Sequence, residues 1–176
     1  EAIEDLLGRL ISYAGLTYSG DTQDPAISKF YGDVQERITS ISRVLPWSAD
    51  HAAIVEVGAD PNTRIISFTV TEAGYYLAPD NTLDTAYPDL IADLEGRACT
   101  TIYGAIEKIL DARMARSAGP VTLLNCDNLR SNGARFRAGM LDFLTRRKNT
   151  ELRAWFDAHT ICPNDMVDRI TPRPTP

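Results

Sequence analysis

The sequence predicts an α/β fold built on a parallel sheet, and three observations carry that expectation. Two short β-rich apolar runs, Ile65-Ile66-Ser67-Phe68-Thr69-Val70 and Val121-Thr122-Leu123-Leu124-Asn125-Cys126, are each bounded by turn-forming residues. Amphipathic helical patterns lie between and after them, so strand, helix, strand and helix alternate along the chain. The second run ends in Asp127 and Asn128, and open α/β sheets present their functional groups at the carboxyl ends of strands. The near-continuous apolarity of the first run further predicts a strand buried on both faces.

Each element has its own reason. Residues 1–13 place Ile3, Leu6, Leu7, Leu10 and Ile11 at the spacing of an amphipathic helix. From Ala14 to Gly32 that pattern gives way to Gly, Ser, Thr, Asp and Pro, which predicts a loop. Gln35 to Leu45 carries Ile38, Ile41, Val44 and Leu45 among Thr and Ser and reads as a strand, although the spacing also suits a helix; Pro46-Trp47 ends it. Ala49 to Val57 reads as a short helix closed by Gly58, and Arg64 to Thr71 as a strand. Glu72 to Tyr87 shows no clear element, and structureless stretches of about 15 residues in a compact domain are often functional. Helices are expected over Pro88–Leu94 and over Thr100–Arg116, the latter with Ile102, Ile106, Ile109, Leu110 and Met114 on its apolar face. Gly119-Pro120 breaks that helix before the strand Val121–Cys126. A helix over Ala134–Arg147 turns Phe136, Met140, Leu141, Phe143 and Leu144 inward, a helix over Glu151–His159 follows, and the chain is extended from Ile161. Right-handed crossovers then bring Glu72 and Asn128 to one edge of the sheet.

Composition narrows the function classes. A chain of 176 residues, 44% hydrophobic and 24% charged, has the make-up of one ordinary globular domain. Its net charge of −6 argues against a general nucleic-acid binder, which needs a positive face. The dense basic cluster Arg146-Arg147-Lys148 falls where a helix should end, so it complements the helix dipole. No stretch approaches the roughly 18 apolar residues of a membrane span, and no signal-peptide pattern opens the sequence. Cys99, Cys126 and Cys162 are odd in number and widely spaced, which fits reduced thiols and a cytoplasmic setting. The opening Glu1-Ala2-Ile3-Glu4 and the closing Pro172-Arg173-Pro174-Thr175-Pro176, linker-like in composition, give the expectation of a piece of something larger.

Several chemistries lack their pattern. His51, His159 and the three cysteines show no metal-ligand spacing, so no metal is expected. Ser131 with His159 lacks the G-x-S-x-G elbow of a hydrolase, and Gly15 with Gly20 lacks the lysine of a P-loop. Asn128 at a strand's carboxyl end has an amide able to donate to an oxygen that gains charge. By spacing alone, Asp127 and Asn128 are better explained as cap or turn residues. Asp168 beside Arg169 by itself suits a surface ion pair, and Glu72 a solvated loop acid.

Two segments taken together resemble one family. Cys126-Asp127-Asn128 with Asn132-Gly133, followed by Pro163-Asn164 and Met166-Val167-Asp168-Arg169-Ile170-Thr171-Pro172, is similar to the C-D-N-x-x-x-N-G and P-N-x-M-V-D-R-I-T-P signature of polyol-specific long-chain NAD-dependent dehydrogenases, the mannitol dehydrogenase and fructuronate reductase type. Thr69-Val70-Thr71-Glu72-Ala73-Gly74-Tyr75 is similar to the family's T-V-T-E-G-G-Y, with Ala73 where Gly is usual. Leu45-Pro46-Trp47, Gly58-Ala59-Asp60-Pro61 and Ala118 to Asn128 look most like the D-arabinitol 4-dehydrogenases within the family, with the mannitol enzymes next.

The resemblance implies an incomplete Rossmann-like parallel sheet with flanking helices, lacking the first βα unit and a C-terminal helical domain. Residues 1–171 would form part of an NAD-binding domain, with 1–33 matching the family poorly, and 172–176 would begin a linker to a helical substrate domain. It implies NAD as cofactor and oxidation of an acyclic polyol of the D-arabinitol or mannitol type to a ketose. Asn128 and Asp168 would be catalytic, Thr71, Glu72 and Asn128 would meet the cofactor, and Asp165 falls at a variable position. Neither a G-x-G-x-x-G turn nor a K-x-x-x-x-N-x-x-H helix occurs in this sequence, so the chain alone is expected to be inactive. The alternatives are a hexuronate reductase of the same family and, if the chain is complete, a non-catalytic α/β binding module.

Overall fold

The computed structural model describes residues 13–16, 28–31, 34–37, 41–45 and 51–166. The chain divides into two compact units, residues 1–57 and 58–176.

In the first unit, β1 (Tyr13–Leu16) pairs in parallel with β4 (Ile41–Leu45), and β2 (Ser28–Tyr31) pairs antiparallel with β3 (Val34–Arg37). These pairings correct two expectations. The stretch from Ala14 to Gly32, expected as a loop, contains strand residues, and the single strand expected over Gln35–Leu45 is replaced, among the described residues, by β3 and β4 in two different sheets. Strands this short form because a partner supplies their hydrogen bonds, which local composition does not report. The helix expected over residues 1–13 lies outside the described residues, except Tyr13, which opens β1. The expected helix near residue 50 is present as α1 (Ala52–Gly58).

In the second unit the order is β5 (Ile65–Phe68), a 3-10 helix over Glu72–Tyr75, α2 (Pro88–Leu94), α3 (Ile102–Ala115), β6 (Val121–Asn125), α4 (Asn132–Arg146), α5 (Thr150–His159) and β7 (Thr160–Ile161). The three strands form a parallel sheet in the order β5-β6-β7, with Ile65 opposite Thr122 and Phe68 opposite Asn125. The alternation read from sequence therefore gives the expected parallel sheet. Strand β6 is central, and its alternate residues Val121, Leu123 and Asn125 are buried. Strand β5 is not buried on both faces: Ile65 is 58% exposed, and Thr122 opposite it on the central strand is only half-buried, so that face of the sheet has little cover among the described residues. Apolarity records what a strand can bury, and not whether a neighbour covers it.

Behind the sheet, Tyr103, Ile106 and Leu110 of α3 pack with Phe136, Met140, Phe143 and Leu144 of α4 and Leu152 and Phe156 of α5, all buried. The Tyr103 ring stacks on Phe136 and Phe143, with centroids 5.6 and 5.7 Å away. Burial of these large side chains is the main stabilising term, at about 1.5–3 kcal/mol each. On α3 the buried residue near the end is Arg113, while Met114 is only half-buried. The Arg113 guanidinium donates to the carbonyls of Gly58 (2.6 Å), Asp60 (3.0 Å), Ala118 (3.2 Å), Gly119 (3.1 Å) and Pro120 (3.3 Å). A cation so surrounded by backbone oxygens is tolerated inside, and it ties the loop before β5 to the loop before β6. Helix α3 starts where buried Asp93 of α2 accepts from the amides of Thr100 (2.9 Å) and Thr101 (2.8 Å), and where the Thr101 hydroxyl accepts from the Gly104 amide.

Candidate active site at the carboxyl edge of the sheet

Because β5 and β6 run in parallel, the turns that follow them emerge at the same edge. The ladder closes with the Cys126 amide donating to the Phe68 carbonyl at 2.7 Å, and the Thr69 hydroxyl donates to the Cys126 carbonyl at 3.0 Å. Beyond this point the chain turns on both strands. Thr71 precedes the 3-10 helix in an extended conformation and makes no side-chain cap bond to it; Thr71 and Glu72 are exposed. On the other side, Asn128 is exposed, and Asp127 below it is partly buried.

Asp127 organises this turn. Its Oδ1 accepts from the Leu129 amide at 3.0 Å, closing a turn around Asn128, while its Oδ2 accepts from the Tyr75 hydroxyl at 2.5 Å. The same Tyr75 hydroxyl accepts from Asn125 Nδ2 at 2.7 Å. Burial, and then donation to Asp127, pushes the Tyr75 phenol well above its ordinary value, so it stays protonated. The turn-forming reading of Asp127 is therefore what the geometry shows, and this turn is what presents Asn128.

A second hub lies one step inward. Asn132, fully buried at the start of α4, donates to the carbonyls of Asn125 and Asp127, both at 3.2 Å. Its Oδ1 accepts from the amides of Gly133 (2.8 Å) and Asp165 (2.9 Å). The Asn164 side chain accepts from the Ala134 amide at 3.0 Å, satisfying another donor at the helix start. Gly133 has no room for a side chain: a Cβ there would lie 2.2 Å from the Pro163 carbonyl oxygen and 2.5 Å from that of Cys162. The two motif segments are thus in direct contact, and Asn132, Gly133, Pro163 and Asn164 are what fastens them.

Of the residues singled out from sequence, Thr71, Glu72 and Asn128 share this edge, while Asp168 lies outside the described residues. Asp165, given no role, contributes its backbone amide to Asn132. Tyr75 was missed as a site residue; its signal was a tyrosine three positions after Glu72, but its partner Asp127 lies 52 residues away. The Cys126 thiol is pushed up by burial and by Asp165 and Asp127, which disfavours a nucleophilic role. Among the described residues, no group of three or more His, Cys, Asp or Glu gathers to hold a metal, and no helix is long and apolar enough to cross a membrane.

A parallel sheet flanked by helices, with polar turns collected at its carboxyl edge, defines a Rossmann-like domain. Residues 31–175 match the family described as Mannitol dehydrogenase Rossmann domain, and the chain belongs to that family. It is 58% identical over 158 residues to the D-arabinitol 4-dehydrogenase of Ralstonia nicotianae, covering 90% of this chain and 33% of that protein. It is 55% identical over 139 residues to the D-arabinitol 4-dehydrogenase of Klebsiella pneumoniae, covering 79% of this chain and 30% of that protein. Among solved structures, it is similar to Pseudomonas fluorescens mannitol 2-dehydrogenase in a ternary complex with NAD and D-mannitol, with a TM-score of 0.66, 38% identity, and 80% and 30% of the two chains covered. It is also similar to a substrate-free D-sorbitol dehydrogenase, with a TM-score of 0.67, 32% identity, and 78% and 29% covered. The chain spans about a third of the length of the curated relatives it matches.

Proposed function

We propose that this chain supplies the carboxyl-edge half of the nucleotide site in an NAD-dependent polyol dehydrogenase, one that oxidises an acyclic polyol of the D-arabinitol or mannitol type to a ketose. The observation that carries the reading is the pair of exposed polar turns, Thr71-Glu72 and Asn128, held at one sheet edge in a chain 58% identical to a D-arabinitol 4-dehydrogenase. That identity favours D-arabinitol among the polyols.

The residues present fit such a cofactor. Thr71 and Glu72 lie exposed beside the sheet edge, where the nicotinamide half would rest, and the Thr71 hydroxyl is not engaged in capping the helix it precedes. When bound, NAD accepts the hydride removed from the carbinol carbon. Asn128 donates its amide to the substrate's reacting oxygen, and Asp168 joins the polar network beside it. The proton of the hydroxyl goes to a base that this sequence does not contain in the family's K-x-x-x-x-N-x-x-H form. On this reading residues 1–171 belong to the nucleotide-binding domain, 172–176 lead towards a helical substrate domain, and the setting is cytoplasmic.

The test is steady-state reduction of NAD by the full-length natural protein with D-arabinitol, mannitol and sorbitol, and the reverse reaction with fructuronate and tagaturonate. Turnover highest with D-arabinitol is the expected result. Turnover confined to the hexuronates would transfer the assignment to a reductase, and no turnover with any of these substrates would overturn the reading.

A further inference from the structure

We infer that Tyr75 is a positioning residue of this site, whose buried hydroxyl locks the Asp127-Asn128 turn to the Thr71-Glu72 turn. The donor to the substrate oxygen and the cofactor-side turn are thereby held at one fixed spacing. The inference rests on the roles proposed above for Asn128, Thr71 and Glu72.

The geometry is directional at every step. Tyr75 is the last residue of the 3-10 helix that begins at Glu72, and it is 1% exposed. Its hydroxyl receives a hydrogen bond from Asn125 Nδ2 (2.7 Å), so its own proton is committed to Asp127 Oδ2 (2.5 Å). The other oxygen of Asp127 holds the Leu129 amide (3.0 Å) and accepts a longer bond from Asn132 Nδ2 (3.4 Å), so the short bond from Tyr75 is the one that ties the side chain closing the turn around Asn128 to the Thr71-Glu72 side. The backbone of Tyr75 is fixed as well: its carbonyl accepts from the Tyr103 hydroxyl at 2.7 Å, and Tyr103 is clamped between Phe136 and Phe143. Tyr103 shows what a buried tyrosine with a packing role does, since its hydroxyl goes to a backbone carbonyl. Tyr75 instead directs its hydroxyl to the carboxylate adjacent to Asn128. The ladder between β5 and β6 ends at the bond from the Cys126 amide to Phe68, the Thr69 hydroxyl adds one more bond to the Cys126 carbonyl, and beyond these Tyr75 to Asp127 is the side-chain bond that joins the two turns.

A positioning residue of this kind does not exchange its proton. Burial and the bond to Asp127 keep the phenol protonated across any ordinary assay range. Removing the hydroxyl should therefore lower turnover without changing which groups titrate.

The experiment uses the full-length natural protein oxidising D-arabinitol. Tyr75→Phe keeps the ring and deletes both hydroxyl bonds, the one to Asp127 and the one from Asn125. It should lower kcat about 10- to 100-fold, the scale of a misplacement of about 1 Å, with a smaller change in KM for NAD. The shape of the kcat–pH profile should be unchanged. In a Tyr75→Phe/Asn128→Ala double variant the loss should not exceed that of Asn128→Ala alone, because Tyr75 acts through Asn128. Asp127→Asn turns the accepting Oδ2 into a donor and should give the same signature, which serves if Tyr75→Phe does not fold. Folded variants with kcat within twofold of wild type would overturn the inference. So would losses that multiply in the double variant, or the disappearance of one limb of the pH profile. A wild-type protein that oxidises no polyol would overturn the proposed function, and this inference with it; an active wild type with an unaffected Tyr75→Phe would overturn this inference alone.

Discussion

Asn132→Ala should open the junction between the two motif segments. Besides a long 3.4 Å donation to Asp127 Oδ1, the buried Asn132 side chain makes four shorter hydrogen bonds: two donations at 3.2 Å to the carbonyls of Asn125 and Asp127, and two acceptances, from the Gly133 amide at 2.8 Å and the Asp165 amide at 2.9 Å. At about 1 kcal/mol net each these contribute about 4 kcal/mol. The Asp165 amide sits in a half-buried segment and can turn to water, which returns part of its share; Gly133 is buried, and its amide cannot. A loss of about 3 kcal/mol follows, and each 1.4 kcal/mol is about tenfold in an equilibrium constant. Amide hydrogen exchange in the full-length protein reads this locally: peptides covering residues 125–134 and 162–166 should exchange about 100-fold faster in the variant, while the core of α3 changes little. Asn132→Asp keeps the acceptor but points lone pairs at the two carbonyls, so it should be as damaging at neutral pH. Those carbonyls raise the new carboxyl's folded-state pKa above its unfolded value of about 3.9, so the penalty should fade as pH falls and protonation restores a donor. Exchange within threefold of wild type in Asn132→Ala would refute the reasoning, since it would mean that other groups hold these amides.

Three further outcomes are expected. Asn128→Ala in the full-length protein should lower kcat about 100-fold with little effect on KM for NAD, whereas Asp165→Ala should be nearly silent in steady-state kinetics, because its bond to Asn132 is made by the backbone. Gly139→Ala should lower thermal stability by about 1–3 kcal/mol, since its Cβ would lie 2.2 Å from the hydroxyl oxygen of Tyr103, a ring stacked on two sides and unable to swing away. The Cys162 thiol, pushed up by burial from 9.0 to about 11, should alkylate about 100-fold more slowly at pH 8 than an ordinary thiol, as mass spectrometry of iodoacetamide-treated native and urea-unfolded protein can measure. With its folded pKa raised, the stability it contributes is complete below pH 9 and is lost as pH climbs towards 11.

Much of the second unit was legible because its signals are local. Helices α3, α4 and α5 carry their apolar residues at helical spacing, and Phe136, Met140, Phe143 and Leu144 are buried where that spacing puts them. The parallel pairing of β5 with β6 follows from an intervening helix, which leaves little other choice of connection. The edge that gathers Thr71, Glu72 and Asn128 follows in turn. Strands β1 and β2 were not legible, because four residues containing Gly15, or beginning at Ser28, carry no strand pattern until a partner is supplied.

By itself, then, the sequence determined the alternation of elements, the edge at which polar groups collect and, through Cys126 to Gly133 and Pro163 to Asn164, membership of the family. Only the tertiary structure decided what those motif residues do. That Asn132 reaches the Asp165 amide, that Gly133 must lack a side chain against the Pro163 carbonyl, that Arg113 reaches the carbonyls of Gly58 and Asp60 and that Tyr75 grips Asp127 all depend on atoms 30 to 55 residues apart. Periodicity records how a residue relates to its own helix or strand; a hydrogen bond or a close approach across elements is set by packing, which brings distant residues within about 3 Å and leaves no periodic trace.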